Sequence, residues 1–354
     1  MAPFAWSGRS DGDGPEHRRF WHTVEEAGSG SRGSAADGLA PRPALLSRGS
    51  AADGLAPRPA LLSRGSSQSS SRLDQRGADA ALVGFASDEG VRRNHGRVGA
   101  AEGPGALRAA LASLAVHEDL AVVDHGDVAV TDGDLEGGQR RLGEVVAAAR
   151  ESADLTVVLG GGHETAYGSH LGLGPHPRLG VLNLDAHFDL REAERPTSGT
   201  PFRQIAADRH EAGVDFDYAV VGISRTSNTS TLFDTADALG VRWLLDDDSQ
   251  EPGAPVRFVE DFLAGVDAVY LTIDLDVLPA AVAPGVSAPA ALGVPPFVIQ
   301  AVCDAVVASG KLVHLDVTEL NPRLDVDQRT ARVAARLIHR IITRHASTPR
   351  QQEA

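Results

Sequence analysis

The sequence predicts an α/β protein of three layers, in which helices cover both faces of a mostly parallel central sheet. From Ala80 onwards, short segments that are apolar throughout alternate with helical segments. Strands without a polar side are typical of parallel sheets that are buried on both faces. Polar residues follow several of these segments, which is the pattern expected where a ligand binds at the carboxyl ends of parallel strands. These observations favour one domain over about 78–346.

Seven segments are predicted to form strands, because each is a short apolar run of the length typical of a buried strand. In chain order they are 81–86 (ALVGFA), 120–128 (LAVVDHGDV), 155–162 (LTVVLGGG), 178–187 (RLGVLNLDAH), 217–224 (DYAVVGIS), 268–278 (AVYLTIDLDVL) and 311–320 (KLVHLDVTEL).

Four helices are predicted between and after these strands, with other helical stretches in some of the remaining gaps. They are 103–115 (GPGALRAALASLA), 139–152 (QRRLGEVVAAARES), 296–310 (PFVIQAVCDAVVASG) and 328–345 (QRTARVAARLIHRIITRH). The last of them has an apolar stripe and a basic face, which is typical of a helix packed on a core.

Composition narrows the class of protein and its partners. The net charge of the 354 residues is −15, which argues against nucleic acid or an anionic membrane as the main partner. Cys303 is the single cysteine, so the chain has no internal disulfide and a reducing compartment is expected. No apolar run approaches the length of about 20 residues that a membrane span needs, and acidic residues interrupt the N-terminal stretch where a signal peptide would be apolar. We therefore predict a cytoplasmic protein that acts on a small molecule.

A low-complexity segment separates the N-terminal stretch, 1–27, from the predicted catalytic domain, 77–346. The 16 residues at 31–46 occur again without change at 47–62. The segment is rich in Ser, Gly, Arg and Pro and poor in the apolar residues that form a core. An Arg-rich and Ser-rich composition also occurs in transit peptides, but this segment is internal. We predict a disordered insert over 28–76 and a disordered tail over 347–354.

Three sets of polar residues lie where predicted strands end. The first set is His163 in GGGHE, the second is the triad in NLDAHFDL, and the third is the aspartate pair in TIDLDVLPA. Together they supply four carboxylates and two imidazoles, from His163, Asp185, His187, Asp189, Asp274 and Asp276. Buried charges are costly unless they are paired or bind a metal, so alternate polar residues on an apolar strand favour metal ligation.

The alternatives for each set are less specific. A single histidine after a strand is usually a polar loop residue, and two alternating aspartates are common. All three sets lie at the ends of predicted strands, and this shared position argues against a purely structural role. Carboxylate and imidazole ligands suit a hard or borderline divalent ion such as manganese, and six ligands exceed the three that a catalytic zinc ion usually takes from the protein. The sequence therefore predicts two divalent ions.

Beyond these sets, longer motifs resemble the ureohydrolases, the family of arginase, agmatinase and formimidoylglutamase. The motifs are GGGHE, NLDAHFDLR, SGTPFRQI, TIDLDVLPA and LDVTELNP. The finer resemblance is to formimidoylglutamases, through FASDEGVRRNHGRVGAAEGP, SGTPFRQI, GISRTSNT and VAPGVSAPAALGV. The resemblance implies an arginase-like α/β/α fold and a homo-oligomer.

The resemblance also implies a site with two Mn²⁺ ions per chain. In that pattern, one ion is held by His163, Asp185, Asp189 and Asp274. The other ion is held by Asp185, His187, Asp274 and Asp276, so that two aspartates bridge the ions. A hydroxide between the ions attacks the amidine carbon, Asp189 relays a proton to the leaving nitrogen, and Glu319 pairs with the cationic amidinium.

The implied reaction is the hydrolysis of N-formimidoyl-L-glutamate to L-glutamate and formamide, a step of histidine degradation. The two substrate carboxylates require cationic or amide donors, and arginine binds carboxylates in bidentate fashion. The loop DEGVRRNHGR and later segments supply several arginines, including Arg97, Arg191 and Arg203. The preferred candidates are Arg92, Arg93, Asn94 and Arg225.

One departure from the wider family bears on the substrate. Many arginases and agmatinases have a histidine in an HGT or HGQ motif, where this chain has TSGT with Ser198. The departure favours formimidoylglutamate over arginine or agmatine. Three alternatives remain: another ureohydrolase that releases urea from a guanidino substrate such as agmatine, guanidinobutyrate or arginine, a metal-binding scaffold, and a deacetylase-like zinc hydrolase.

Overall fold

The fold is built on a nine-stranded sheet in which all strand pairings are parallel, and helices lie on both of its faces. A computed structural model describes residues 4–12, 14–28, 77–176 and 178–348. The strands are β1 (Val24–Glu26), β2 (Ala78–Ala86), β3 (Val122–Ala129), β4 (Ala153–Leu159), β5 (Leu179–Leu184), β6 (Tyr218–Ile223), β7 (Arg242–Leu245), β8 (Ala268–Asp274) and β9 (Leu312–Thr318). Their order in the sheet is β1-β3-β2-β4-β9-β8-β5-β6-β7. The predicted fold class is confirmed.

Nine α-helices are present in the described part of the chain. They are α1 (Glu89–Arg93), α2 (Gly103–Ala112), α3 (Leu135–Ser152), α4 (Thr165–Leu173), α5 (Pro201–Glu211), α6 (Ser230–Ala238), α7 (Gly253–Leu263), α8 (Pro296–Ala308) and α9 (Arg329–Ser347). One apolar core joins the sheet to α2, α7, α8 and α9. Two further cores on the other face join it to α3, α4, α5 and α6.

The strands are apolar throughout because successive side chains enter different cores. In β2, Ala80 and Leu82 belong to the core beneath α2 and α9, whereas Ala81 and Val83 belong to the core beneath α3. Alternate side chains of a strand point to opposite faces of the sheet. A sheet covered on both faces therefore needs apolar residues at every position of its central strands, as predicted.

Both edge strands, β1 and β7, are absent from the predicted set of strands. The first has the sequence VEE and is largely exposed, and the second begins with the exposed residue Arg242. An edge strand is paired on one side only and carries polar residues, so apolar runs do not reveal it. The strand predicted over 178–187 is also too long, because β5 ends at Leu184.

The N-terminal stretch is part of the sheet. Strand β1 pairs with β3, and the ring nitrogen of Trp6 donates to Asp124 Oδ2 at 2.8 Å. The same carboxylate accepts from the fully buried Arg108, whose Nη1 also contacts Asp127 at 2.5 Å. The predicted insert falls almost entirely on 29–76, and most of the predicted tail on 349–354, and both ranges lie outside the described residues.

Among the helices that the structure describes, none combines the length and the apolar composition that a membrane crossing requires.

Candidate metal centre and active site

Four neighbouring strands, β4, β9, β8 and β5, place the candidate functional residues at one edge of the sheet. His163 lies in the turn between β4 and α4, and Glu319 follows β9. Asp274 is the last residue of β8, and Asp276 lies in the single 3₁₀ turn after it. Because the strands are parallel, their carboxyl ends meet at the same edge.

The triad after β5 converges through a turn of the loop, and the prediction that a strand continues through it is wrong. Asp185 follows the last strand residue, and its Oδ1 accepts the backbone N–H of His187 at 2.6 Å. Asp189 has φ 49°, in the left-handed region that few residues other than glycine adopt. Asn228 holds the loop by accepting from Phe188 N at 3.1 Å and donating to Ala186 O at 2.9 Å. These turns direct both aspartates towards His163.

The first candidate ion site is centred on the Nδ1 atom of His163. This atom lies 3.1 Å from Asp185 Oδ2, 2.9 Å from Asp189 Oδ2 and 3.2 Å from Asp274 Oδ2. It is fully buried and makes no hydrogen bond of acceptable geometry. The other ring nitrogen, Nε2, lies 3.1 Å from the hydroxyl of Thr272. That contact leaves Nδ1 free to act as a metal ligand, and outer hydrogen bonds of this kind orient metal-binding histidines.

The second candidate ion site shares Asp185 with the first. His187 Nδ1 lies 3.5 Å from Asp185 Oδ1 and 3.0 Å from Asp276 Oδ2. Within each ion site, the ligand atoms lie within 4.8 Å of one another. By this distance Asp185 belongs to both sites and Asp274 to the first. The sharing of Asp185 fits one of the two expected bridges, and the expectation that Asp274 also bridges the ions stays a prediction.

The electrostatics of the cluster fit divalent cations. The four carboxylates are buried, and none forms an ion pair with a lysine or arginine of the described chain. Burial, followed by repulsion from Asp276 and Asp185, holds the pKa of Asp274 well above its usual value. Burial alone would lower the pKa of His163, but the close contacts of its ring with Asp185, Asp189 and Asp274 hold it well above the ordinary value. Carboxylates crowded in this way are stabilised when cations lie between them.

Glu319 lines the same cavity as the cluster and has a strained backbone conformation. Its φ is 68°, and its Oε1 accepts the backbone N–H of His163 at 2.9 Å. The side chain is buried, and burial together with repulsion from Glu164 raises its pKa to about 8. A buried carboxylate of this kind favours a cationic partner, because the partner's charge offsets the cost of desolvation.

A polar cavity of about 410 Å³ opens onto the cluster. Its lining residues are Asn94, His95, Gly96, Arg97, His187, Asp189, Arg191, Ser198, Asp274, Asp276, Ser287, Ala288 and Glu319. The lining combines the carboxylates of Asp189, Asp274, Asp276 and Glu319 with the guanidinium groups of Arg97 and Arg191. The cavity therefore offers partners of opposite charge to a ligand that carries both cationic and anionic groups.

Residues 78–343 match the arginase family. The chain belongs to the arginase family. Two relatives named formimidoylglutamase are similar to it: that of Rhodococcus jostii is 62% identical over 271 residues, or 74% of this chain and 85% of the relative. That of Nocardia farcinica is 60% identical over 274 residues, or 76% of this chain and 87% of the relative.

Solved structures show the same arginase-family fold. Formiminoglutamase from Trypanosoma cruzi with Mn²⁺ superposes with a TM-score of 0.70 at 27% identity, covering 78% of this chain and 96% of that one. Arginase from Bacillus subtilis superposes with a TM-score of 0.64 at 24% identity, covering 74% and 98% of the two chains. At that lower identity the likeness is one of fold alone.

Among the four preferred substrate-binding candidates, Asn94 lines the cavity of this arginase-family site, where its side chain donates to Ser198 Oγ at 3.2 Å, and the three arginines do not. Arg92 is exposed and pairs with Glu89, its Nη2 lying 2.6 Å from Oε1. The side chain of Arg93 is 7% exposed, and its donors are taken by Glu89, Glu136 and two backbone carbonyls. The structure does not bring either guanidinium into the cavity.

The guanidinium of Arg225 is also outside the cavity lining, 5.7 Å from the ring centre of Phe233. The two arginines that do line the cavity, Arg97 and Arg191, belonged to the larger set of candidates in the sequence. A signal for Arg191 was present, since it follows Asp189 by two residues. Which arginine faces the cavity depends on loop conformation, which spacing alone does not define.

Proposed function

We propose that this chain is a metal-dependent formimidoylglutamase that hydrolyses N-formimidoyl-L-glutamate to L-glutamate and formamide. The observation that carries the proposal is the cavity, which has a cluster of metal-ligand type at its base, Glu319 beside it and two guanidinium groups in its lining. The substrate has a matching distribution of charge, with an amidinium at one end and two carboxylates at the other. The names of relatives that are up to 62% identical also support it.

We propose that the chain holds two Mn²⁺ ions. His163, Asp185, Asp189 and Asp274 would hold one ion, and Asp185, His187 and Asp276 the other. When bound, such ions supply a water molecule that is acidic enough to ionise near neutral pH. The Mn²⁺ of the related trypanosomal structure and the donor chemistry of the cluster support the choice of metal.

The remaining steps belong to side chains of the chain itself. Glu319 accepts a hydrogen bond from the substrate amidinium and orients its carbon towards the cluster, while its Oε1 stays bonded to His163 N. Asp189 takes the proton of the attacking water and transfers it to the leaving nitrogen. The bond between the amidine carbon and the glutamate nitrogen breaks. The water oxygen stays on that carbon and loses its second proton, which also ends on the leaving nitrogen, so the products are formamide and glutamate with a protonated amino group.

Arg97 and Arg191 are proposed to bind the substrate carboxylates. They replace the earlier candidates Arg92, Arg93 and Arg225. Arg97 is fixed by donating from Nε to Ser287 O at 2.9 Å and from Nη2 to Val286 O at 2.7 Å. Its Nη1 is not used in these two hydrogen bonds and can donate to a substrate carboxylate. Arg191 forms no ion pair with any carboxylate in the described part of the chain, and it lines the cavity next to Ser198 and Asn94. Guanidinium groups recognise carboxylates by paired hydrogen bonds.

Replacing Arg191 with alanine is expected to raise the KM for formimidoylglutamate by about 10- to 100-fold, which corresponds to the loss of a charge-assisted hydrogen bond of about 1.5–3 kcal/mol. The value of kcat and the manganese content should stay close to those of the wild type, because Arg191 is not among the metal ligands. Steady-state kinetics measure this. Arg203→Ala is the matched control, since Arg203 pairs with Glu192 outside the cavity. An unchanged KM in Arg191→Ala would remove Arg191 from the proposal.

The proposed function is tested by product analysis of the purified protein after manganese loading. Formimidoylglutamate should yield formamide and glutamate, and metal analysis should give about two Mn²⁺ per chain. Arginine, agmatine and guanidinobutyrate serve as comparison substrates. Release of urea from one of them at a higher kcat/KM would identify a guanidino substrate instead. Full activity with one ion or fewer would contradict the two-ion site.

The expected cytoplasmic location and homo-oligomeric state are part of the same proposal. The single cysteine, Cys303, is buried and free, in keeping with a reducing compartment. The family resemblance supports an oligomer. Size measurement of the purified protein in solution tests the oligomeric state.

A further inference from the structure

Glu164 is a fully buried carboxylate beside the candidate metal ligand His163, and the proposed mechanism does not use it. Its Oε1 accepts two hydrogen bonds from one distant segment of the chain. The hydroxyl of Ser87 donates at 2.7 Å, and the backbone N–H of Gly90 donates at 3.0 Å. A single carboxylate oxygen therefore fixes the start of helix α1 to the turn that carries His163.

The carboxylate fits between two glycines. A Cβ atom on Gly90 would lie 2.5 Å from Glu164 Cδ, and one on Gly162 would lie 2.1 Å from Oε2. The backbones on both sides thus approach Glu164 closely, and no bulkier residue could occupy either position without a shift. The second carboxylate oxygen, Oε2, is buried without a hydrogen-bond partner.

An unpaired buried oxygen costs free energy, so fold stability alone does not account for a glutamate at this position. What the glutamate specifically provides is an acceptor of defined position for Ser87 and Gly90. A second contact acts in the same place, since Gly162 N donates to Ser87 O at 3.0 Å. The turn that carries His163 and the segment 87–90 are therefore held in a fixed position relative to each other.

The segment held by Glu164 continues into the cavity lining. Gly90 lies in the first turn of helix α1, and the residues after the helix, Asn94, His95, Gly96 and Arg97, all line the cavity. His163, which precedes Glu164, faces the three aspartates of the first ion site. Of these two consecutive residues, His163 thus contacts the metal-ligand cluster, and Glu164 contacts the segment that leads into the cavity lining.

We propose that Glu164 is a positioning residue that sets the distance between the metal-ligand cluster and the wall segment 94–97, which binds the carboxylate end of the substrate. The inference rests on the proposed function for the identity of that substrate. It acts through Ser87 and Gly90, so its loss displaces Asn94 and Arg97 and weakens substrate binding. The ion sites keep all six of their side chains.

The test compares Glu164→Ala with Glu164→Gln in the full-length, manganese-loaded protein. Alanine removes the acceptor of both hydrogen bonds, and we expect the KM for formimidoylglutamate to rise by about tenfold or more, with kcat changed by less than about threefold. Glutamine keeps an acceptor oxygen for Ser87 and Gly90 and should restore the KM to within about threefold of the wild type. Manganese content should be the same in all three proteins.

Hydrogen exchange gives a readout that does not depend on the substrate. In Glu164→Ala, amides of 88–98 should exchange faster than in the wild type, and in Glu164→Gln they should not. Asp124→Asn is the control for a buried carboxylate remote from the cavity, since it weakens the contact with Arg108. It should lower the melting temperature without changing the KM or the exchange of 88–98. If Glu164→Ala fails to fold, Ser87→Ala removes one of the two donors and should raise both the KM and the exchange rate to a smaller extent.

The outcomes separate the two proposals. An unchanged KM and unchanged exchange of 88–98 in folded Glu164→Ala would overturn the positioning role. Loss of manganese with an unchanged KM would also overturn it, because Glu164 would then support His163 and not the cavity wall. A wild-type protein that forms no formamide would refute the proposed function. The exchange data would still show whether Glu164 fixes the wall segment.

Discussion

Replacing Asp276 with asparagine is expected to lower kcat by about 100-fold or more, the size of effect seen when charge stabilisation of a transition state is lost. Asp276 Oδ2 lies 3.0 Å from His187 Nδ1, and Asp276 belongs only to the second candidate ion site. Asparagine preserves the volume and the acceptor that Asp276 Oδ1 offers to Ala186 N at 3.3 Å. The variant therefore removes a negative charge and leaves the local hydrogen bond in place.

Metal analysis separates this explanation from misfolding. The manganese content of Asp276→Asn should fall from about two ions per chain to about one, and excess manganese should restore part of the activity. Asp304→Asn is the matched control, because Asp304 pairs with Arg340 and Arg344 on the helical layer. It should retain both ions and the wild-type kcat. Two retained ions with full activity in Asp276→Asn would remove Asp276 from the ligand set.

Replacing Arg108 with methionine is expected to lower the free energy of unfolding by about 3–5 kcal/mol, the usual cost of removing one partner from a buried ion pair. Arg108 is fully buried and donates to both oxygens of Asp124, at 2.8 and 2.9 Å. It also contacts Asp127 at 2.5 Å. Methionine fills much of the same space, but it leaves the buried carboxylate of Asp124 with Trp6 as its remaining side-chain partner.

Denaturant unfolding followed by circular dichroism measures the change. Arg141→Ala is the control for an ion pair at the surface, where Arg141 Nη1 lies 3.5 Å from Asp134 Oδ2 and both side chains are about half exposed. Its expected cost is less than about 1 kcal/mol. The KM of folded Arg108→Met should be that of the wild type, since Arg108 does not line the cavity. A cost below about 1 kcal/mol for Arg108→Met would mean that water reaches the pair.

The sequence predicted the layers of the fold because central parallel strands and their covering helices leave a strong apolar signal. It did not reveal the edge strands β1 and β7, which are short and partly exposed. It also extended β5 through Asp185 and His187, since alternating polar residues resemble one side of a strand. The strand instead ends at Leu184, and Asp185 turns the chain by accepting the backbone N–H of His187. Nothing in the spacing of the residues indicates that turn.

Six candidate metal ligands could be named from the sequence because they follow apolar strands at short, fixed distances. Parallel pairing brings strand ends to one edge whatever the loops do, and the structure places all six residues there. Which carboxylates bridge the ions depends on the orientation of each side chain, which spacing along the chain does not define. Asp185 belongs to both ligand groups in the structure, and bridging by Asp274 stays a prediction from the family resemblance.

The sequence by itself determined the class of fold, the set of metal-ligand side chains and the family resemblance, because these depend on residue type and on short spacings along the chain. Only the tertiary structure decided which arginines face the cavity. Arg93 and Arg97 are four residues apart, yet Arg93 is enclosed by Glu89 and Glu136 while Arg97 lines the cavity. Glu89 is a local partner on the same helix, but Glu136, which pairs with Arg93, and Ser287, which pairs with Arg97, come from distant segments. The positions of these distant partners are fixed only when helices and loops pack. The same holds for Glu164, whose contacts with Ser87 and Gly90 join segments more than 70 residues apart.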